Sequence, residues 1–440
     1  MKHVKNVFFI LLIFLPFSNI AQSKNDIINV IKKRMLENYI FLDKAKETNE
    51  YLDRLMTINY FEKFTNPRDF ARALSKEMQK ITKDKHLNIA PPRQRPQTPN
   101  NSDFISRHLA NLTRFRSGGF GKIDVLDGNI GYVELNDFRR EDISKVDDIM
   151  KYLSTADAII IDLRKNGGGN SLGQYWSSYF LKENTQLSGM YERRTDTKTE
   201  IKTTSIKGEQ RLSVPLFILT SNQTFSAAEA FSYDLQSRKR ATIIGEITGG
   251  GAHPVNYMSL SKGYGIIMPY ARSISPVTNS NWEGIGVIPD VKTTKEKALN
   301  KAIALALISS KKYRQKPFTK LKLILEKDTI TQADENKIHD LFTILLKRGH
   351  VEYFVINDLG YSYLDKNKIA TAHIIFKLNL KFFPKLPNTH DSYAEILALQ
   401  GNKKEALQHY EKAVFLAEEQ NHRQLALFKK NLSKFKANNK

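Results

Sequence analysis

Two periods of apolar residues divide the chain. From Asn25 to Met56 apolar side chains recur every three or four positions (NDIINVIKKRMLENYIFLDKAKETNEYLDRLM), with no Pro or Gly, and predict helix throughout. A second helical segment, PRDFARALSKEMQKITKDKHLNIA, opens on Pro67, where a helix tolerates proline, and closes near Asp84-Lys85-His86. PPRQRPQTPNNSD then reads as a connector. From about residue 118 the period changes. GNIGYVELNDF, ADAIIIDLRKNGGG, VPLFILT, RATIIGEI and YGIIMPY are short runs rich in Ile, Val and Tyr. Polar helical stretches such as EDISKVDDIMKYL and SAAEAFSYDLQSRK lie between them, so the pattern predicts an α/β core on a largely parallel sheet.

Beyond about residue 310 strand signals fade. Leu359, Gly360, Tyr363, Ala372, Phe376 and Pro384 fit tetratricopeptide spacing, and Tyr393, Ala394, Leu397, Ala406, Tyr410 and Ala413 continue it after about 34 residues. Two ordinary helical hairpins would share these features. Stacked pairs of this kind build a surface for a protein partner.

At the other end, Lys2 and Lys5 flank the apolar run VFFILLIFLPF, which exits through SNIAQS with a small residue at Ala21. This is the pattern of a secretory signal peptide, so the expected mature chain starts near Gln22, outside the cytoplasm, in a periplasm or secreted. An uncleaved membrane anchor is the alternative; the run is shorter than the roughly 20 residues that a spanning helix needs, and no later segment could span. The expected organisation is a signal peptide (1–21), an N-terminal helical region (22–91), a Pro-rich connector (92–114), the α/β core (115–310) and an all-α repeat segment (311–440).

Composition narrows the chemistry. The 440 residues include no cysteine, which excludes disulfides, thiolate metal sites, a cysteine nucleophile and a lipidated N-terminal cysteine. The net charge of +22 is spread along the chain, without basic runs interleaved with aromatics, and reads as a solvated surface; no nucleic-acid partner is expected. Histidines are scattered and His-Glu-x-x-His is absent, so neither a metal nor a cofactor is expected.

Two local patterns remain. Gly167-Gly168-Gly169 follows an apolar run and allows close backbone approach to a ligand, as in an oxyanion hole, or makes a plain strand-to-helix turn. In TFSAAE, Ser226 and Glu229 form a capping box, and a serine at a helix start after a strand is also a place for a nucleophile. Its candidate bases are His86, His253 and the lysines.

In order and spacing, IGYVELNDF, AIIIDLRKNGGGN, LFILTSNQTFSAAEAF, ATIIGEITGGGAHP and SPVTNSNWEGIGVIPDV resemble the C-terminal-processing (tail-specific) serine peptidases. The closest look is to the branch that contains the interphotoreceptor retinoid-binding protein and tricorn protease, over about residues 25–300. The resemblance implies a crotonase-like ββα core and a serine-type peptidase acting on peptides or proteins. It implies Ser226 as nucleophile and an oxyanion hole from Gly167, Gly168, Gly169 and the N–H of Ala227. The bacterial enzymes use a lysine about 25 residues beyond the serine, which here is Gly251; Lys262 lies too far along. The tricorn-like arrangement implies His86 as base, with Glu283 as a further polar group, and leaves His253 lining the site or structural. Lys85 stands where that branch has a serine, and no PDZ insert is evident. Non-catalytic binding on the same fold, or a repeat scaffold with a vestigial core, are the alternative functions. Asp162 and Arg164 are expected to tie the sheet end together.

Overall fold

The computed structural model describes residues 17–92, 119–138 and 143–439. Most of the signal-peptide segment and of the Pro-rich connector therefore lies outside the described residues. Two compact units form, Met1–Leu153 with Ala158–Ile308, and Ser154–Asp157 with Ser309–Lys440.

In the first unit, α1 (Phe17–Asn38), α2 (Leu42–Thr57) and α3 (Pro67–Thr82) come first. The continuous helix expected over 25–56 breaks at Tyr39–Phe41, although no Pro or Gly stands there. Tyr39 and Ile40 are buried, and the Ile40 N–H donates to Pro269 O at 3.1 Å. Leaving the helix lets two consecutive large side chains enter the core, and tertiary burial outweighs helix propensity. Helix α3 starts as expected, with Asn66 accepting from the Arg68 N–H and Pro67 in the first turn; Lys83, in the left-handed conformation, ends it.

The strand β1 (Asn88–Ala90) pairs with β10 (Gly265–Pro269), which also pairs with β9 (Val255–Ser259), all antiparallel. Ile28, Ile31, Met35, Leu52, Phe70, Leu74 and Met78 pack with Ile266 and Met268 into one core. The run YGIIMPY is thus a strand outside the main sheet, where its antiparallel partners and the three helices bury it.

The main sheet contains β2 (Phe120–Leu126), β3 (Ile130–Leu135), β4 (Ala158–Asp162), β7 (Leu216–Thr220), β8 (Thr242–Gly245) and β12 (Val291–Lys292), in the order β12-β8-β7-β4-β3-β2. Every pairing is parallel except β2 with β3. All five residues of β4 and of β7 are buried, as the unbroken apolar runs AIIID and LFILT require of central parallel strands. The helices α4 (Ile143–Tyr152), α5 (Leu172–Ser178) and α6 (Ala227–Ser237) lie between these strands in sequence. Ala298, Ala302 and Ala306, at four-residue spacing near the start of α7 (Lys295–Leu325), pack on Ile130, Ile160, Phe217, Leu219 and Ile244. A third sheet, β11-β5-β6, joins β5 (Gln186–Glu192), β6 (Thr197–Lys202) and β11 (Ala271–Ile274), and had no clear signature in the sequence.

The second unit is helical: the later part of α7, then α8 (Gln332–Lys347), α9 (Tyr353–Leu364), α10 (Ile369–Phe382), α11 (Pro387–Leu399), α12 (Lys403–Glu419) and α13 (Leu425–Asn438). Helix α9 packs on α10, and α11 on α12. Gly360 admits the Phe376 ring, which a Cβ there would meet at 2.5 Å.

Candidate active site

The carboxyl ends of β4, β7 and β8 point their loops at one place, the usual position for a site on a parallel sheet. The loop after β7 is stitched to the loop after β4. The Ser221 hydroxyl donates to Arg164 O (2.5 Å), the Thr224 hydroxyl to Leu163 O (2.8 Å), and the Phe225 N–H to Asn166 O (3.0 Å). Arg164 in turn binds Asp162 (Nη2–Oδ2 2.6 Å) and Lys295 O (2.6 Å), so this pair does tie the sheet end together.

At the end of that loop Ser226 has φ 54° and ψ −120°. A non-glycine residue in that region costs on the order of 1–3 kcal/mol and persists only where its surroundings enforce it. Glu229 is the main enforcer. Fully buried, it accepts the Ser226 N–H (2.8 Å) and the Gly251 N–H (2.8 Å) on Oε2, and the Gly250 N–H (2.6 Å) and the Thr248 hydroxyl on Oε1. Burial pushes its carboxyl above the usual range while these donors pull it back. The capping glutamate therefore does more than start a helix: it clamps Ser226 to the glycine loop after β8.

Gly168 (φ 108°) packs against this turn, and a Cβ there would meet the Ser226 Cβ at 2.8 Å. Its N–H donates to Asn166 Oδ1 (2.9 Å). The N–H groups of Gly169 and Ala227 donate no hydrogen bond among the described residues, and both residues line the cavity that holds Ser226. Gly167 does not line it. The cavity encloses about 430 Å³.

His86 arrives from the end of α3. Its N–H donates to Asp84 Oδ1 (3.0 Å), and its ring, 9% exposed with the residue, lies 4.6 Å from the Phe225 ring between centroids. Its Nδ1 is buried without a hydrogen-bond partner. Burial lowers the pKa of the imidazole, with Asp84 opposing and His253 adding to the effect. A Cβ at Gly251 would come within 2.6 Å of His86 Cε1 and closer still to the Phe225 ring.

His253 lines the same cavity as Ser226. Its Nδ1 is 2.7 Å from Asp84 Oδ2 and 3.5 Å from Glu283 Oε2. Glu283 Oε2 accepts the Ala252 N–H (2.5 Å), while Oε1 is buried without a partner. Burial, reinforced by Asp84 and opposed by His253, pushes the Glu283 carboxyl up to about 7. Ligand atoms of Asp84, His253 and Glu283 lie within 4.8 Å of one another. The His253–Asp84 hydrogen bond joins two of these three side chains. Lys85 reaches the carbonyl of Gly249, and the Trp282 indole donates to Gly251 O (2.9 Å), so the loop from Gly249 to His253 is held on all sides. Lys262 is exposed in the turn between β9 and β10 and does not line the cavity. The sequence reading missed the roles of Asp84 and Thr248; the only signal for Asp84 was its place two residues before His86.

A strained serine, two unspent N–H groups and one buried histidine, His253, share the cavity, while His86 does not line it and packs beside it on Phe225. Residues of these kinds are what a serine hydrolase uses. Residues 129–293 match the model of peptidase family S41, and residues 18–114 match the N-terminal domain of that family found in eukaryotic IRBP. Over these two stretches the chain is similar to peptidase family S41. It is 28% identical over 172 residues to carboxyl-terminal-processing peptidase 2, chloroplastic, of Arabidopsis thaliana, a match covering 37% of this chain and 31% of that protein. To the carboxyl-terminal-processing protease of Synechocystis sp. it is 29% identical over 165 residues, covering 37% of each. The chain thus spans about a third of the length of these curated relatives. Among solved structures, the photosystem II D1 C-terminal processing protease aligns with a TM-score of 0.41 and 16% identity, over 62% of this chain and 94% of that one. Among the described residues no helix is long and apolar enough to cross a membrane.

Proposed function

We propose that this protein is an exported serine peptidase that hydrolyses peptide bonds through an acyl-enzyme on Ser226, with His86 as general base. The observation that carries the assignment of the base is the crowding at Gly251. This is the position at which lysine-dependent relatives carry their base, and here a Cβ would run into His86 Cε1. The imidazole fills the space that a lysine stem would need. Its Nδ1 is buried and unpaired. Such an orphan costs about 1–3 kcal/mol, which a functional proton acceptor explains.

In the proposed reaction Ser226 Oγ attacks the scissile carbonyl carbon as His86 takes the hydroxyl proton. The developing oxyanion accepts from the N–H groups of Gly169 and Ala227, aided by the positive end of α6. The tetrahedral intermediate expels the amine, which receives the proton from His86. Water then attacks the ester by the same route in reverse. Asp84, His253 and Glu283 hold the loops that carry these groups. The crotonase-like description of the core, and the reading of α9–α12 as tetratricopeptide-like pairs offering a partner surface, belong to the same proposal.

A second reading makes His253 the base. It is favoured by its place in the Ser226 cavity and by its Nδ1 contact with Asp84, the orienting partner that a triad histidine has. Turnover of an unstructured peptide by His86→Asn and His253→Asn separates the two. Loss of about 10³-fold or more in kcat for His86→Asn, with a milder loss for His253→Asn, is expected; the reverse order would move the base to His253.

A further inference from the structure

The cavity beside Ser226 holds a buried carboxylate that the proposed chemistry leaves unused. Ala230 and Asp234 follow the N-cap Ser226 at four-residue spacing along α6, and all three line the cavity. The small side chain of Ala230 leaves the space between the other two open. Asp234 stands two helical turns from Ser226, roughly 12 Å along the axis, and its side chain leans back toward the helix start. The cavity lining is mostly apolar, with Leu187, Met190, Phe231 and Trp282 in it beside the polar Gln174, Ser188 and Ser273.

The Asp234 carboxylate is poorly neutralised for so buried a group, its side chain being only 6% exposed. Among the described residues its one cationic partner is Arg238, at 3.5 Å from Oδ1. That guanidinium is already engaged with backbone carbonyls, those of Asp234 (2.9 Å), Leu187 (2.8 Å) and Gln186. No donor reaches Asp234 Oδ2 among the described residues. Burial accordingly pushes the carboxyl up to about 7, with Arg238 opposing.

We infer that Asp234 is the floor of a primary specificity pocket that takes a lysine or arginine side chain from the residue on the acyl side of the scissile bond. The inference rests on Ser226 being the nucleophile. An apolar stem fits the Leu187–Met190–Phe231–Trp282 walls, and the cationic end supplies the donor that Oδ2 lacks. A short or purely apolar side chain would cover the carboxylate without pairing it, which is unfavourable. The distance along α6 suits a long basic side chain, and the ion pair formed there is desolvated, the setting in which a charged contact discriminates most.

The test compares unstructured peptides that differ only at that residue (Lys, Arg, Leu or Ala), cleaved by the full chain and by Asp234→Asn. A kcat/KM for Lys and Arg at least about tenfold above Leu and Ala is expected, and Asp234→Asn should bring that ratio close to one. Calorimetry with benzamidine against neutral benzamide gives a readout independent of turnover: benzamidine should bind the wild type, and neither Asp234→Asn nor Ala230→Leu, which plugs the passage, should bind it. Leu or Ala peptides cleaved as well as Lys, a ratio unchanged in Asp234→Asn, or no preference for benzamidine over benzamide would overturn the pocket. Fluorophosphonate labelling of Ser226 in the same samples separates the two failures. Labelling without basic preference sinks the pocket alone. Absent labelling sinks the catalytic reading, and the benzamidine comparison still decides the pocket.

Discussion

Ser226 is shaped from both sides in sequence. Phe225 N–H is fixed to Asn166 O, and Ser226 N–H to Glu229, so the strained φ of 54° is a consequence of anchored neighbours. Removing Glu229 would leave four donors buried and unpaired. Glu229→Ala is expected to cost more than about 3 kcal/mol in chemical denaturation and to abolish turnover with it. For His86, burial lowers the pKa, so the neutral base persists to lower pH than for a free imidazole. The acid limb of a kcat/KM profile should therefore fall below the ordinary histidine value of about 6.5, and a limb well above it would remove His86 as the titrating base. The pattern TFSAAE exposed both Ser226 and its capping partner in the sequence. What it hid was the second half of the Glu229 role, because the glycines it grips come from another loop, after another strand.

The three loops after β4, β7 and β8 make the site, and they were legible to different degrees. The alternation of AIIID and LFILT with helical stretches pointed to parallel strands, and their carboxyl ends located the loops that carry Gly168 and Ser226. The glycine loop after β8 was visible as a turn but not as the hub it is. Its contacts reach back to a segment far away in sequence: Asp84 and His253 are 169 positions apart. No periodicity reports such a pairing. The break between α1 and α2 escaped for the same reason, since a carbonyl of β10 captures Ile40. At Gly251 the crowding with Phe225 and His86 gives a direct test. Gly251→Ala should lower stability by about 1–3 kcal/mol and reduce turnover, read by denaturant midpoint and peptide assay; an unperturbed variant would mean the ring packing is loose.

The charge state of the site reaches the stability of the first unit as a whole. Glu283 is held at about 7 in the folded chain, above its ordinary 4.5. Between those values the folded state keeps a proton that the unfolded state releases. The stability this contributes is complete below about pH 4.5 and is lost as pH rises through 7. Replacing Glu283 by Gln removes the titration. The melting temperature of the wild type relative to Glu283→Gln should therefore fall by about 2–4 °C between pH 4.5 and 8, and a flat difference would contradict the assignment. The assignment of Ser226 as nucleophile needs a test that ignores substrate identity. Reaction of the full chain with a fluorophosphonate, followed by peptide mass spectrometry, provides it. Our interpretation predicts a single covalent adduct on Ser226, lost in Ser226→Ala and strongly slowed in His86→Asn. No adduct on Ser226 in a folded wild-type protein would contradict it and leave a binding protein on a peptidase fold.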